Sequence, residues 1–522
     1  MAKRPNEEDP SSESPLKRIR ATPPDRISKL SDELLLRILS NLSVTTLNLC
    51  QGTSRRFHAL AADSQLWKAA YYNRFVRPRA ARIPGVRDGV ADHLIFSSKS
   101  AKWLDEESFV KKGREMNWQR QYKIRHNWSR GRCGVSEIQV TDCPPVPHLL
   151  VRYHAGIVFT VDSEHGLRAW SSKDGQKLLA NTLLHIADQT RRAIAPTSLA
   201  IDSRSAENCV HRVAIGFEDG AFSIFELQMK SKDFLHLHKN TSSSSGMLSA
   251  IALASPYLLV MTEKQQLSLY KFEEPGTSPN RNLDPAKLLI SFKSHTSWPP
   301  LTLSIRPSAQ GLIASIAYAL PTYLTGWSVG VQEVCLSPDG KLLDSRVATA
   351  LDPTFQSRLP GASEPWHNEE DSSPSPIFAK PTSLSYSHPY LLVSHPDNTL
   401  TLYLASSTET SLSISAGRRL WGHTSSVSGA EVGGRGKAVS VSSRGNELRV
   451  WELEGGLASA ALRRRLTTGA LSVRVSPDHS SVHNCGVEAT LTKGWVGFDD
   501  ENVVVLREKS QGQQALVVYD FT

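Results

Sequence analysis

The sequence predicts a multidomain chain: a three-helix module and a helical linker, followed by an all-β propeller of seven blades. Three observations carry this prediction. Apolar residues recur at helical spacing in one early stretch. An alternating strand ending on an aromatic recurs seven times further on, at intervals typical of one four-stranded sheet with its turns. The last residues, "LVVYDFT", hold the seventh of these strands with no turn or cap behind it, so they need a neighbour from elsewhere. At 522 residues the chain is long enough to bury a large core.

Taken in order, residues 1–26 read as a disordered tail. Lys3-Arg4 and, after a twelve-residue spacer, Lys17-Arg18-Ile19-Arg20 have the form of a two-part nuclear-import signal, so a nuclear or cytoplasmic location is expected. No apolar h-region follows the basic residues, and no apolar run reaches the ~18 residues that a bilayer span requires. An intracellular chain without membrane contact is therefore expected.

Residues 27–75 form the helical module. Leu34, Leu35, Ile38, Leu39 and Leu42 recur at helical spacing, Ser31 stands at the N-cap, and Asp32 and Glu33 complement the dipole in the first turn. Two shorter helical patterns follow, Val44 to Cys50 and Phe57 to Trp67. A unit of about fifty residues buries too little surface to be comfortably stable alone, so some of its apolar side chains call for another surface.

These residues resemble an F-box, the helical module that docks onto the Skp adaptor of cullin-type ubiquitin ligases. The resemblance runs through Leu30, Glu33, Leu34, Leu35, Ile38, Leu39 and Leu42, then Ser54-Arg55-Arg56-Phe57 and Leu60-Ala61, and ends at Leu66-Trp67-Lys68. Ser31 replaces the Pro most F-boxes carry there, and Phe57 stands where Trp is common. The resemblance implies adaptor contacts from Leu30, Leu34, Leu35, Ile38, Leu39, Leu42, Leu66 and Trp67. Sequence does not separate these from side chains that fill the module's own interior.

Residues 76–133 are a basic helical linker. From Arg55 to Arg132 there are 18 Lys and Arg against 7 Asp and Glu, whereas residues 133–522 carry a net −3. Trp118, Tyr122 and Arg125 share one helical face. With Asn127-Trp128 and Gly131 they resemble the segment that joins F-box to propeller in this family. A solvated basic face is preferred here over a nucleic-acid contact, because no groove-entering motif or stacking platform accompanies it.

Residues 134–522 form the propeller. The aromatics of the repeated strand are Trp170, Phe225, Tyr270, Trp327, Tyr403, Trp451 and Tyr519. Asp219-Gly220 and Asp397-Asn398 precede two of these strands as tight-turn steps, making each unit an antiparallel meander. Gly422-His423, the strand around Val439 and Val441, and Trp451-Glu452 closely resemble a full WD repeat, so the propeller is expected to be WD-type. Gly445 stands where that family has a turn Asp, leaving His423 short of its usual partner. In the family the aromatic closes the third strand of a blade, which implies a borrowed fourth strand for the last one; "GVSEIQV", residues 134–140, is expected to supply it. A Pro-, Ser- and acid-rich insertion near 352–380 reads as a disordered loop. Its Ser373-Pro374 and Ser375-Pro376 steps, like Ser14-Pro15 and Thr22-Pro23, read as ordinary Pro-rich loop chemistry rather than phosphate acceptors.

Catalytic motifs are missing: there is no phosphate-binding Gly-rich loop with Lys-Ser/Thr, no G-x-S-x-G and no H-E-x-x-H. His154, His295 and His423 sit near blade starts, where a structural role is expected. The six cysteines form no C-x-x-C pair and read as reduced thiols. No catalytic residue, metal or cofactor is expected, and the chain reads as a non-catalytic subunit. The resemblance implies a substrate receptor of a Skp-cullin-F-box ligase, partnering the adaptor, through it a cullin, and a protein substrate that includes phosphorylated forms. Arg168 and Arg449, each in a repeat strand, are the candidate substrate contacts. Two alternatives stand beside it: a non-degradative propeller scaffold, and a nuclear nucleic-acid-binding propeller using the basic linker.

Overall fold

The computed structural model describes residues 26–27, 29–77, 116–173, 178–184, 194–202, 210–241, 246–272, 286–293, 298–308, 311–322, 326–350, 379–434, 436–444, 447–453, 472–477, 491–509 and 512–522. The basic tail motif, the four Ser/Thr-Pro steps, His295, Gly445 and nearly all of the expected insertion lie outside them. The described residues divide into two compact units: a helical one up to Arg77 that includes Trp118 and Gln119, and a β unit from Arg120 to Thr522.

The helical unit contains α1 (Asp32–Leu39), α2 (Val44–Gln51), α3 (Arg55–Ala61), α4 (Ser64–Tyr71) and a π-turn, Tyr72–Val76. Four short helices therefore stand where three are expected. The third pattern breaks because Asp63 adopts a non-helical conformation and its side chain accepts from the Gln65 N–H, starting a new helix. Ser43 and Ser54 cap α2 and α3 through bonds from Thr46 N–H and Phe57 N–H. Ser31 has N-cap geometry, but its side chain accepts no capping bond from the backbone.

The β unit begins with α5 (Trp118–Arg130), whose first two residues belong to the helical unit. Gly131 ends it at φ +68°, a left-handed position where a Cβ would come within 2.3 Å of the Arg474 carbonyl oxygen. The described strands that follow form seven sheets, antiparallel but for a short parallel pair between Arg132–Cys133 and Ser476–Pro477, and their innermost strands touch in a closed ring. The second strand of a blade is covered on both faces by neighbouring blades. Ile157–Asp162, Tyr390–Ser394 and Lys437–Ser442 are accordingly buried at every position, the last of them including Lys437, Ser440 and Ser442.

The seven aromatics all fall on third strands, but Trp327 does so differently. It is the second residue of Gly326–Leu336, opening that long strand rather than closing it. The last strand, Gln514–Asp520, lies between Asn502–Glu508 and Arg132–Thr141. Val135 pairs with Tyr519, Ile138 with Leu516, and a register shift between Gln139 and Thr141 completes the pairing. The borrowed strand thus closes the seventh blade and leaves the final strand no open edge.

Candidate functional site

In the helical unit, two overlapping i, i+4 pairs divide the opening helix. Leu35 and Leu39 are buried, and Leu39 joins Leu47, Ala61 and Leu66 in a core that Leu42 flanks. Leu34 and Ile38 remain 54% and 48% exposed on the adjacent face, with Ile27 and Leu49 also exposed. Leu30 is half-buried, and its carbonyl accepts from Arg56 Nη2 at 2.6 Å; the same guanidinium pairs with Asp32. Trp67 is buried, donating from Nε1 to the Ala61 carbonyl at 2.8 Å. Of the eight residues singled out in the sequence, Leu34 and Ile38 therefore present open apolar surface. Leu35, Leu39, Leu66 and Trp67 build the scaffold beneath it.

In the β unit, α5 occupies one end of the blades. Trp128 Nε1 donates to the Asp500 carbonyl, Asn127 Nδ2 to the Phe521 carbonyl, Arg120 pairs with Glu501, and Arg125 pairs with Glu452. Asp500 and Glu501 lie in the turn between the first and second strands of the seventh blade. Glu452 and Phe521 end or follow third strands. All these contacts are thus at one end of the sheets, leaving the rim of turns between second and third strands at the other.

Arg168 and Arg449 both sit near the start of third strands, toward that opposite rim. Their guanidinium groups are already engaged. Arg168 is 6% exposed, pairs with Asp162 at 2.7 Å and donates to the Val140 carbonyl of the closing strand at 2.9 Å. Arg449, half-buried, donates to Glu447 and to Ser472 Oγ, both at 2.8 Å. The rim's exposed Arg444, in a turn, and Trp421, at the end of the strand Arg418–Trp421 and 43% exposed with the Arg419 guanidinium 5.4 Å from its ring centre, are not legible in sequence as one surface because they come from separate elements.

The sixth blade corrects the expectation about His423. Glu447, two positions beyond Gly445, supplies the carboxylate: it accepts from Thr424 N–H and Oγ1 and lies 3.5 Å from His423 Nδ1. His423 Nε2 meets Ser440 Oγ at 2.6 Å, and Trp451 Nε1 donates to the same hydroxyl at 2.8 Å. Burial holds the His423 imidazole down to about 4 against the opposing pull of Glu447. Burial pushes Glu447 upward, but bonds from Thr424 and Arg449 outweigh it and hold the carboxyl at about 2. A simpler version recurs in the first blade, where Trp170 Nε1 donates to Thr160 Oγ1 at 3.0 Å. His423 and Glu447 thus take part in fastening the strands of the sixth blade together. Among the described residues no group of three or more His, Cys, Asp or Glu side chains has the geometry to hold a metal ion, and no helix is long and apolar enough to cross a membrane.

Comparison with known proteins adds the following. A family profile described as F-box-like matches residues 27–73, and one described as F-box protein pof12 beta-propeller matches residues 133–522. The chain is 22% identical over 437 residues to the F-box protein pof12 of Schizosaccharomyces pombe, covering 82% of this chain and 84% of that protein. Among solved structures it is similar to the WD40 β-propeller domain of Doa1, at 12% identity and a TM-score of 0.38 over 74% of this chain and 96% of that one. It is likewise similar to U3-55K, at 10% identity and a TM-score of 0.41 over 74% of this chain and 98% of that one.

Proposed function

The chain belongs to the F-box protein pof12 β-propeller family, carrying an F-box-like helical region ahead of a seven-bladed WD-like propeller, and from that premise we propose that it is the substrate-recognition subunit of a Skp-cullin-F-box ubiquitin ligase. The observation that carries this reading is the division of the opening helix. Leu34 and Ile38 stay exposed although Leu35 and Leu39, one position along, are fully buried. An apolar pair left open beside a completed core is what a docking helix requires. The adaptor would cover that pair, and a cullin would follow through the adaptor.

The propeller would hold the target protein on the rim opposite α5. Its contribution is proximity: once captured, a substrate lysine meets the ubiquitin donor in an effectively intramolecular step. The chain itself makes and breaks no bond in this account.

Co-purification with the Skp adaptor tests the reading, comparing the intact chain with Leu34→Asp and with a chain beginning at residue 117. Binding by the intact chain alone supports it. Equal recovery of the adaptor with all three, or none with the intact chain, overturns it.

A further inference from the structure

The outer strand of the fourth blade, Leu342–Thr349, pairs with Gly326–Leu336 on one side, and among the described residues no strand pairs with its other side. One side chain holds it in place. The Arg346 guanidinium lies 3.5 Å from Glu333 and 3.0 Å from Cys335 Sγ, and it donates to the Thr408 carbonyl of the fifth blade. The open side keeps an unused donor of the sheet: Ser345 N–H, opposite Val334, goes instead to the Asp344 side chain at 2.8 Å. That N–H therefore points away from Gly326–Leu336, and by the alternation of an antiparallel ladder so does that of Val347.

Large apolar side chains stand along this edge. Leu342, Leu343 and Val347 are all exposed, the last two at 50% and 42%. Among the described residues no other outer strand carries more than one exposed large apolar side chain. Natural edges are blunted by short length, Lys, Pro, charges or bulges. This one is eight residues long with no Lys or Pro, and it has only a bulge at Leu343 and the acid of Asp344.

The strand is also complementary to itself. Laid antiparallel on a second copy about a twofold axis at Ser345, it sets Leu343 opposite Val347 of the second copy and Asp344 opposite Arg346, and the symmetry repeats both matches. At the axis the two outward Ser345 N–H groups each meet the opposing carbonyl. Sliding the axis by one residue sets Asp344 against Asp344 or Arg346 against Arg346, like charges directly opposite. Moving it on to Val347 leaves Leu343 and Asp344 without these partners. We propose that Leu342–Thr349 is the interface of a homodimer, in which two copies of this chain join edge to edge in one continuous antiparallel sheet. So short a pairing buries less than the about 1,200 Å² of stable complexes, so the dissociation constant is expected at about 1–100 µM. Such a dimer needs neither the adaptor nor a captured substrate.

Sedimentation of the full chain across about 1–200 µM tests this, with hydrogen exchange on the same samples. The intact chain is expected to pass from monomer to dimer, and the Ser345 and Val347 amides to gain protection as it does. Val347→Lys changes an exposed position and should weaken association at least tenfold. Ser345→Pro removes an N–H that the strand does not give to its own sheet, so it should abolish the dimer and leave the unfolding temperature nearly unchanged. The proposal is overturned if the chain stays monomeric throughout, or if both variants associate like the intact chain. Amides protected equally at every concentration in a monomer would mean that another segment of the same chain covers the edge, which also overturns it. Should either variant fail to fold, Ser345→Cys decides, because the axis brings the two cysteines within disulfide reach. Oxidation giving more linked dimer than the intact chain supports the interface, and no increase overturns it.

Discussion

Trp128 stacks on Phe521 with ring centres 4.0 Å apart and planes inclined by 10°. An aromatic from the helix that precedes the propeller thereby lies flat against one beyond its last strand. The Lys437 ammonium lies 4.0 Å from the Trp128 ring centre, and both rings join a buried cluster with valines of the sixth and seventh blades. The helix is thus part of the propeller's own core at the point where the ring closes.

Trp128→Ala should therefore destabilise the propeller by about 3–5 kcal/mol, as large-to-small changes at buried aromatics do. Urea unfolding of the chain beginning at residue 117 reads this directly. A loss below about 1 kcal/mol would mean that the helix only rests on the surface.

Closure by the borrowed strand makes a second prediction. Ile138 is 3% exposed and pairs with Leu516. Ile138→Asp buries an unmatched charge between blades and should open the ring, giving earlier unfolding and concentration-dependent association through the exposed strand edge. Light scattering and thermal unfolding check both effects. Gln139→Asp, on the same strand and exposed, should remain close to the intact chain.

Within α1, Leu34→Asp should leave helical content and unfolding temperature nearly unchanged, because Leu34 is 54% exposed. Leu35→Asp, at 1% exposure, should collapse the helical unit. Circular dichroism of the two variants separates surface from scaffold without any partner present.

The His423 and Glu447 set has a definite pH sign. His423 in the fold is held at about 4, below its ordinary 6.5, so its contribution is present above pH 6.5 and fades as pH falls toward 4. Glu447, held at about 2 against 4.5, contributes fully above pH 4.5 and loses that stability as pH falls toward 2. Glu447→Gln should be less stable than the intact chain at pH 7, and the gap should narrow between pH 4.5 and 3. Denaturant midpoints at pH 7, 4.5 and 3 measure it.

Much of this architecture is legible in residue pattern. Trp118, Tyr122, Trp128 and Gly131 stand out because a helix face and a left-handed cap each leave a periodic or residue-specific mark. The closing strand is legible because an edge demands a partner. What escapes the sequence depends on where side chains end rather than where they start. The i, i+4 pair Leu34 and Ile38 is as apolar as Leu35 and Leu39, and packing alone decides which is covered. Glu447 reaches back to Thr424 across a turn, so its role is invisible at the position where an Asp is expected. Arg168 looks like a free cation in its strand, but Asp162 and the Val140 carbonyl claim it from separate strands.

The central claim is that the chain joins a captured protein to the ubiquitin machinery through Leu34 and its neighbours. Its most direct test is the half-life of propeller-bound proteins in cells carrying either the intact chain or Leu34→Asp. The account predicts that the same proteins bind both chains but persist several-fold longer with Leu34→Asp. Equal half-lives, with those proteins still bound, would contradict it and identify a scaffold that recruits without degrading.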